Sequence, residues 1–169
     1  IENLRNLKHE ADKQRLLYGN FDYDDDPAAL IDFEAQNDLF HNEHVLPDTT
    51  NKYLTCDIAG RGSDVFRVGY WEGLALCEDW EVPISTGKGV VEKIRQVKIA
   101  KGVPNSNIVY DADGVGGGVD GWFPGAKAFL NGGSPLNGEQ YENLKTQCYY
   151  KLAELINAAL DQGTKPAEL

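Results

Sequence analysis

The sequence contains no methionine, not even at its first position, where isoleucine stands; we therefore expect a piece of a longer protein. Cysteine is scarce as well. Cys56, Cys77 and Cys148 are odd in number and lack Cys-x-x-Cys spacing, which argues against a disulfide framework and against a zinc site. Cys56 lies in an apolar run and reads as a buried free thiol. The histidines, His9, His41 and His44, sit in a polar leading segment and read as solvated. No apolar run approaches the roughly 18 residues of a membrane span, and Ile1-Glu2-Asn3 opens neither a basic nor an apolar leader. A cytoplasmic protein without membrane contact is expected. What is there is ordinary globular composition, 41% hydrophobic and 25% charged over 169 residues, enough for one full core and a small appendage.

The net charge of −11 is unevenly spread. Residues 1–50 carry twelve acidic against four basic side chains, and residues 51–169 fifteen against twelve. Within that nearly balanced body, Lys88, Lys93, Arg95, Lys98 and Lys101 are opposed only by Glu92. Such a strip can follow a phosphate backbone, although a solvated helix face has the same composition.

Residues 1–46 read as an appendage: a polar helix over about 2–17, an acidic turn at Asp22-Tyr23-Asp24-Asp25-Asp26-Pro27, and a short helix from Ala28 to Phe40 opened by Pro27. The acidic turn lacks the glycine and distal glutamate of a calcium loop. From residue 47 a second domain is expected. Tyr53 to Ile58, Val65 to Trp71 and Leu74 to Val82 read as strands, the last two joined by the Glu72-Gly73 turn. A helix over Val90 to Lys101, closed by Gly102, precedes a buried strand, Ile108 to Tyr110. A short helix, a strand over Ala126 to Leu130 and a long helix over Glu139 to Leu160 complete the order. Leu144, Cys148, Leu152, Leu155, Ile156 and Ala159 are expected on its inner face.

Three meandering strands, a helix, then alternating strands and helices is the order of a ribonuclease H-like α/β fold, a mixed sheet flanked by helices. Its first and fourth strands are neighbours. Both end here on an aspartate followed by glycine: Cys56-Asp57-Ile58-Ala59-Gly60, and Tyr110-Asp111-Ala112-Asp113-Gly114. Two carboxylates within on the order of 4 to 6 Å repel unless a cation bridges them. A pair of Mg²⁺ or Mn²⁺ ions would remove the repulsion and supply phosphodiester hydrolysis.

At these residues the chain resembles the large terminase subunit of tailed bacteriophages. Gln14-Arg15-Leu16-Leu17-Tyr18-Gly19-Asn20-Phe21 is similar to the segment closing that family's ATPase half. Tyr53 to Asp64 resembles the opening strand of its nuclease half, Ile108 to Gly118 the second acidic strand, and Asn143 to Tyr150 the helix after the last core strand. The resemblance implies a two-metal endonuclease that cuts concatemeric double-stranded DNA in the host cytoplasm, working with a portal and a small terminase subunit. It implies Asp57 as ligand of both ions and Asp111 of one, with Asp113 and Asp64 as supporting or alternative ligands. A third family carboxylate has no clear counterpart; Glu154 and Asp161 are the available substitutes. Arg61 and Arg67 join Lys88, Lys93, Arg95 and Lys98 as expected DNA contacts, and Arg61, Arg67 and Lys127 form an alternative groove. Ser85-Thr86-Gly87-Lys88-Gly89 lacks two defining positions of a phosphate loop, so ATP hydrolysis is expected of the parent protein and not of this segment. Two other readings remain: a non-catalytic module docking the packaging motor, and an actin- or sugar-kinase-like phosphotransferase, which would need a second such domain.

Overall fold

A computed structural model describes residues 16–18, 29–58, 65–82, 87–113 and 119–164, without the side chains of 120 and 160–164. The expected helix over 2–17 and the acidic turn at 22–26 fall almost wholly outside these residues. The chain divides into two compact units, Val45–Gln147 and a second made of Ile1–His44 with Cys148–Leu169. The boundary after Gln147 has no sequence signal, because no glycine or proline interrupts residues 144–162.

The larger unit is a five-stranded mixed sheet in the order β3-β2-β1-β4-β5. Its strands are β1 (Lys52–Asp57), β2 (Phe66–Glu72), β3 (Ala75–Val82), β4 (Ile108–Asp111) and β5 (Lys127–Phe129). β1, β2 and β3 pair antiparallel in succession. β4 then lies parallel to β1, and β5 parallel to β4. Alternation fixes the faces: Leu54 and Cys56 of β1, Phe66, Val68 and Tyr70 of β2, and Ile108 and Tyr110 of β4 are buried in one core. Helix α2 (Gly87–Lys101), numbered after α1 (Phe33–Asp38) of the smaller unit, supplies Val90, Val91, Ile94 and Val97 to that core, one apolar stripe at helical spacing. Gly102 ends it at φ +69°, a left-handed cap that lets Val103 N–H reach the Lys98 carbonyl at 3.0 Å. At the two edges, Glu78, Asp79 and Glu81 line β3 and β5 is only three residues long; charge and shortness both discourage pairing with another chain.

In place of the expected helix after Gly118 stands a single 3₁₀ turn, Val119–Gly121. A second, Leu136–Gly138, is clamped by the buried Gln147, whose amide accepts from Leu136 N–H at 2.7 Å and donates to the Leu136 carbonyl at 3.1 Å. The last helix, α3 (Leu144–Thr164), starts later than expected because Asn143 caps it, accepting from Thr146 N–H at 2.9 Å.

In the smaller unit, α1 (Phe33–Asp38) is shorter than the expected Ala28 to Phe40. Asn157 of α3 ties down the approach to it, accepting from Asp32 N–H at 3.1 Å and donating to the Leu30 carbonyl at 3.3 Å. His41 and His44 are engaged locally, with the Asn37 carbonyl and with Asp38. The inner face of α3 matches expectation at Ile156, which is buried, but Ala153 is buried too, whereas Leu152 and Leu155 are half exposed. Helical periodicity sets the spacing of an apolar stripe, and in so apolar a helix it leaves the phase open.

Candidate functional site

Leu54 stands opposite Ile108, Thr55 opposite Val109 and Cys56 opposite Tyr110. Asp57 and Asp111 follow next, each the last residue of its strand. Neighbouring strands lie about 4.8 Å apart, and residues in register on parallel neighbours share a face. The two aspartates are thus placed side by side at the carboxyl end of the sheet. Because Cys56 and Tyr110 point into the core, the aspartates point away from it.

That outer face forms an open cleft of about 590 Å³, lined by Asp57 and Asp111 together with Thr55, Arg67, Gly69, Trp71, Asp79, Phe129 and Asn131. Alternation along β1 and β2 was the signal that could have added Thr55, Gly69 and Trp71 to the site; Asn131 and Asp79 had none. Trp71 Nε1–H donates to Thr55 Oγ1 at 2.9 Å. The indole is carried across Gly69, where a Cβ would come within 2.8 Å of Thr55 Oγ1 and 3.1 Å of Trp71 Nε1; only glycine leaves that space.

Arg67 is the cross-strand partner of Asp57, yet its guanidinium goes to β3, at 2.8 Å from Asp79 and 2.7 Å from Glu81. These half-exposed pairs contribute on the order of 1 kcal/mol or less each. Their effect on the site is to draw the cation away from Asp57. Among the described residues, no cation pairs with Asp57 or Asp111. Asp111 Oδ1 accepts from Asp113 N–H at 2.9 Å, and Asp113 Oδ2 accepts from Asn131 N–H at 2.6 Å. Asp113 itself is not among the residues that line the cleft.

Two adjacent, uncompensated carboxylates suit a hard divalent cation, with water completing the coordination. Among the described residues no group of three or more His, Cys, Asp or Glu side chains is gathered. Asp64 and Arg61 lie outside the described residues, as does the side chain of Asp161. Glu154 pairs with Lys151 on its own helix at 3.4 Å.

The basic strip is not on this face. α2 packs on the core side of the sheet through Val90, Val91, Ile94 and Val97, opposite the side to which Asp57 points. Lys88 lies 3.9 Å from Glu92, and Lys93 stands 4.9 Å over the Trp80 ring, whose strand position pairs with the core residue Val68. Arg95 and Lys98 belong to the same helix. Lys127, in contrast, is in register with Val109 and so shares the aspartates' face, as does Arg67.

Burial pushes the Cys56 thiol from 9.0 up to about 12. Above pH 9 the unfolded chain therefore loses a proton that the folded chain keeps, so stability falls as pH rises from 9.0 to about 12. The expected slope is at most about 1.4 kcal/mol per pH unit. Alkaline unfolding of the parent compared with Cys56→Val isolates it, since the Tyr70 hydroxyl is also raised, by burial and by its bond to Glu72. Iodoacetamide should label the exposed Cys77 at once and Cys56 only on unfolding; equal labelling rates would contradict the burial.

No family model matches the sequence, and no curated protein matches it significantly. Solved structures do. A lysine-to-alanine variant of the nuclease portion of the large terminase subunit from bacteriophage Sf6, with calcium, superposes at a TM-score of 0.65 and 19% identity, covering 83% of this chain and 70% of that one. The nuclease domain of the same Sf6 subunit with manganese and β-thujaplicinol gives 0.63 at 19% identity over the same shares. What is common at that identity is architecture: this chain has the ribonuclease H-like α/β fold seen in a phage terminase nuclease domain.

Proposed function

We propose that this chain is the nuclease domain of a phage DNA-packaging terminase, a metal-dependent endonuclease that cuts concatemeric double-stranded DNA. The observation that carries the reading is the pair Asp57 and Asp111, adjacent, on one face and open to a cleft. Bound Mg²⁺ or Mn²⁺, two ions by analogy with the fold, would supply Lewis-acid chemistry for phosphodiester hydrolysis. The chain's own part is to hold two carboxylates together at fixed spacing and to seat the DNA backbone on the outer face of the sheet. The Sf6 structures contain calcium or manganese, which supports a divalent ion here. Portal and small terminase subunit as partners, an ATPase elsewhere in the parent protein, and action in the host cytoplasm belong to the same proposal. No helix among the described residues is long and apolar enough to cross a membrane.

Cleavage of supercoiled plasmid by the purified chain, with Mg²⁺ or Mn²⁺ and with EDTA, tests it. Nicking that requires the metal is expected; intact plasmid at every metal concentration would favour a second reading, a non-catalytic docking module. The absence of a third gathered ligand among the described residues is what supports that second reading.

Phosphate contacts carry no base information, so cleavage should be largely independent of sequence. Arg67 and Lys127 share the aspartates' face of the sheet, which makes them better candidates for holding the duplex than Lys88, Lys93, Arg95 and Lys98. Arg67→Gln with Lys127→Gln should weaken DNA binding and reduce the salt slope by about one per lost contact. Lys93→Gln, Arg95→Gln and Lys98→Gln together should leave the slope near that of the parent. A flattened slope in this triple variant would return the DNA to the α2 side.

A further inference from the structure

We propose that Asp113 is a positioning residue, a clip that orients Asp111 and the rim of the cleft, and is not itself a metal ligand; the inference rests on the metal-site reading above. Asp113 engages both of its neighbours through different atoms. Its backbone N–H holds Asp111 Oδ1 at 2.9 Å, and its carboxylate Oδ2 holds Asn131 N–H at 2.6 Å. The first bond commits one oxygen of Asp111 and leaves the other for a cation. The second joins the exit of β4 to the exit of β5, beside the strand-end bond from Ala112 N–H to the Phe129 carbonyl at 2.9 Å. Asn131 carries the connection onward, since its carbonyl accepts from Lys145 N–H in the first turn of α3 at 3.2 Å, while the residue also lines the cleft. A ligand at position 113 would have to present its carboxylate to the same space as Asp57 and Asp111. Instead one oxygen of that carboxylate is held by a loop amide and Asp113 does not line the cleft, so Asp113 acts on Asp111 through the backbone it anchors. Groups that orient a metal's ligands typically affect affinity by about ten- to a hundredfold.

The clip needs a hydrogen-bond acceptor at position 113; a metal ligand needs the negative charge. Asp113→Asn keeps an acceptor oxygen and drops the charge, and Asp113→Ala drops both. Two readouts are taken on the whole chain: Mn²⁺ affinity by calorimetry, and hydrogen exchange of the Asn131 amide, with the core amides of β1 as the control for folding. In Asp113→Ala, Mn²⁺ affinity should fall by about tenfold and Asn131 exchange should quicken by at least about tenfold. In Asp113→Asn both should stay within about twofold of the parent. Equal loss of Mn²⁺ affinity in the two variants would make Asp113 a ligand and overturn the proposal, as would unchanged Asn131 exchange in Asp113→Ala. If the parent chain binds no Mn²⁺ at all, the metal reading falls, and the exchange measurement alone decides the clip.

Discussion

Asp57→Asn should lower metal-dependent DNA cleavage by about 10³-fold or more while leaving the fold intact. The amide nearly matches the carboxylate in shape but cannot balance divalent charge, and several kcal/mol of transition-state stabilisation depend on that charge. The size of the loss follows from the neighbourhood. Arg67, the nearest cation by register, is engaged with Asp79 and Glu81, so among the described residues no cation neutralises Asp57, as the proposed metal role requires. In EDTA the sign reverses: removing one of two adjacent like charges relieves repulsion, and the variant should melt at or above the temperature of the parent. Full cleavage by a folded Asp57→Asn chain would remove this residue from the site. A clear drop in melting temperature in EDTA would mean that the carboxylate is structural.

A large loss of stability is expected at Leu54, which is 0% exposed and in the central strand of the sheet. Leu54→Ala should cost about 3 kcal/mol, the removed methyl groups plus the cavity they leave. For a chain of this length that corresponds to a midpoint lower by about 10 °C. Leu54 packs on the opposite face of the strand that delivers Asp57, so Mn²⁺ affinity measured well below the midpoint should be nearly unchanged. A shift under about 3 °C would mean that the core closes over the gap. Loss of Mn²⁺ affinity in the still-folded variant would mean that the strand moves with its core.

The strands were readable because their apolar residues alternate between clear turn residues. Each of the five appears within a residue or so of its expected bounds, and the parallel neighbours β1 and β4 are as the chain order implied. Asp57 and Asp111 were readable as a pair for the same reason: strand ends are local, and the fold supplies the adjacency. The side of the sheet taken by α2 was not readable, because a charge strip shows that a helix face is solvated and leaves open which face of the sheet the helix covers. The partners of Asp113 and Arg67 were hidden by distance along the chain. Asn131, Asp79 and Glu81 are joined to them by loop geometry and cross-strand register, and neither leaves a local motif. The phase of α3 was only partly readable, right at Ile156 and wrong at Leu152 and Leu155, because these residues fit more than one stripe.

The indole lying across Gly69 has an optical consequence. The chain holds three tryptophans in distinct settings: Trp71 on the aspartates' face, hydrogen-bonded to the strand that ends in Asp57; Trp80 beneath a lysine on the other side; and Trp122 largely in solvent. Of the three, Trp71 is the one hydrogen-bonded to the strand that ends in Asp57. The face of the sheet that would meet DNA thus carries its own fluorophore, held at a fixed place by the absence of a side chain beneath it.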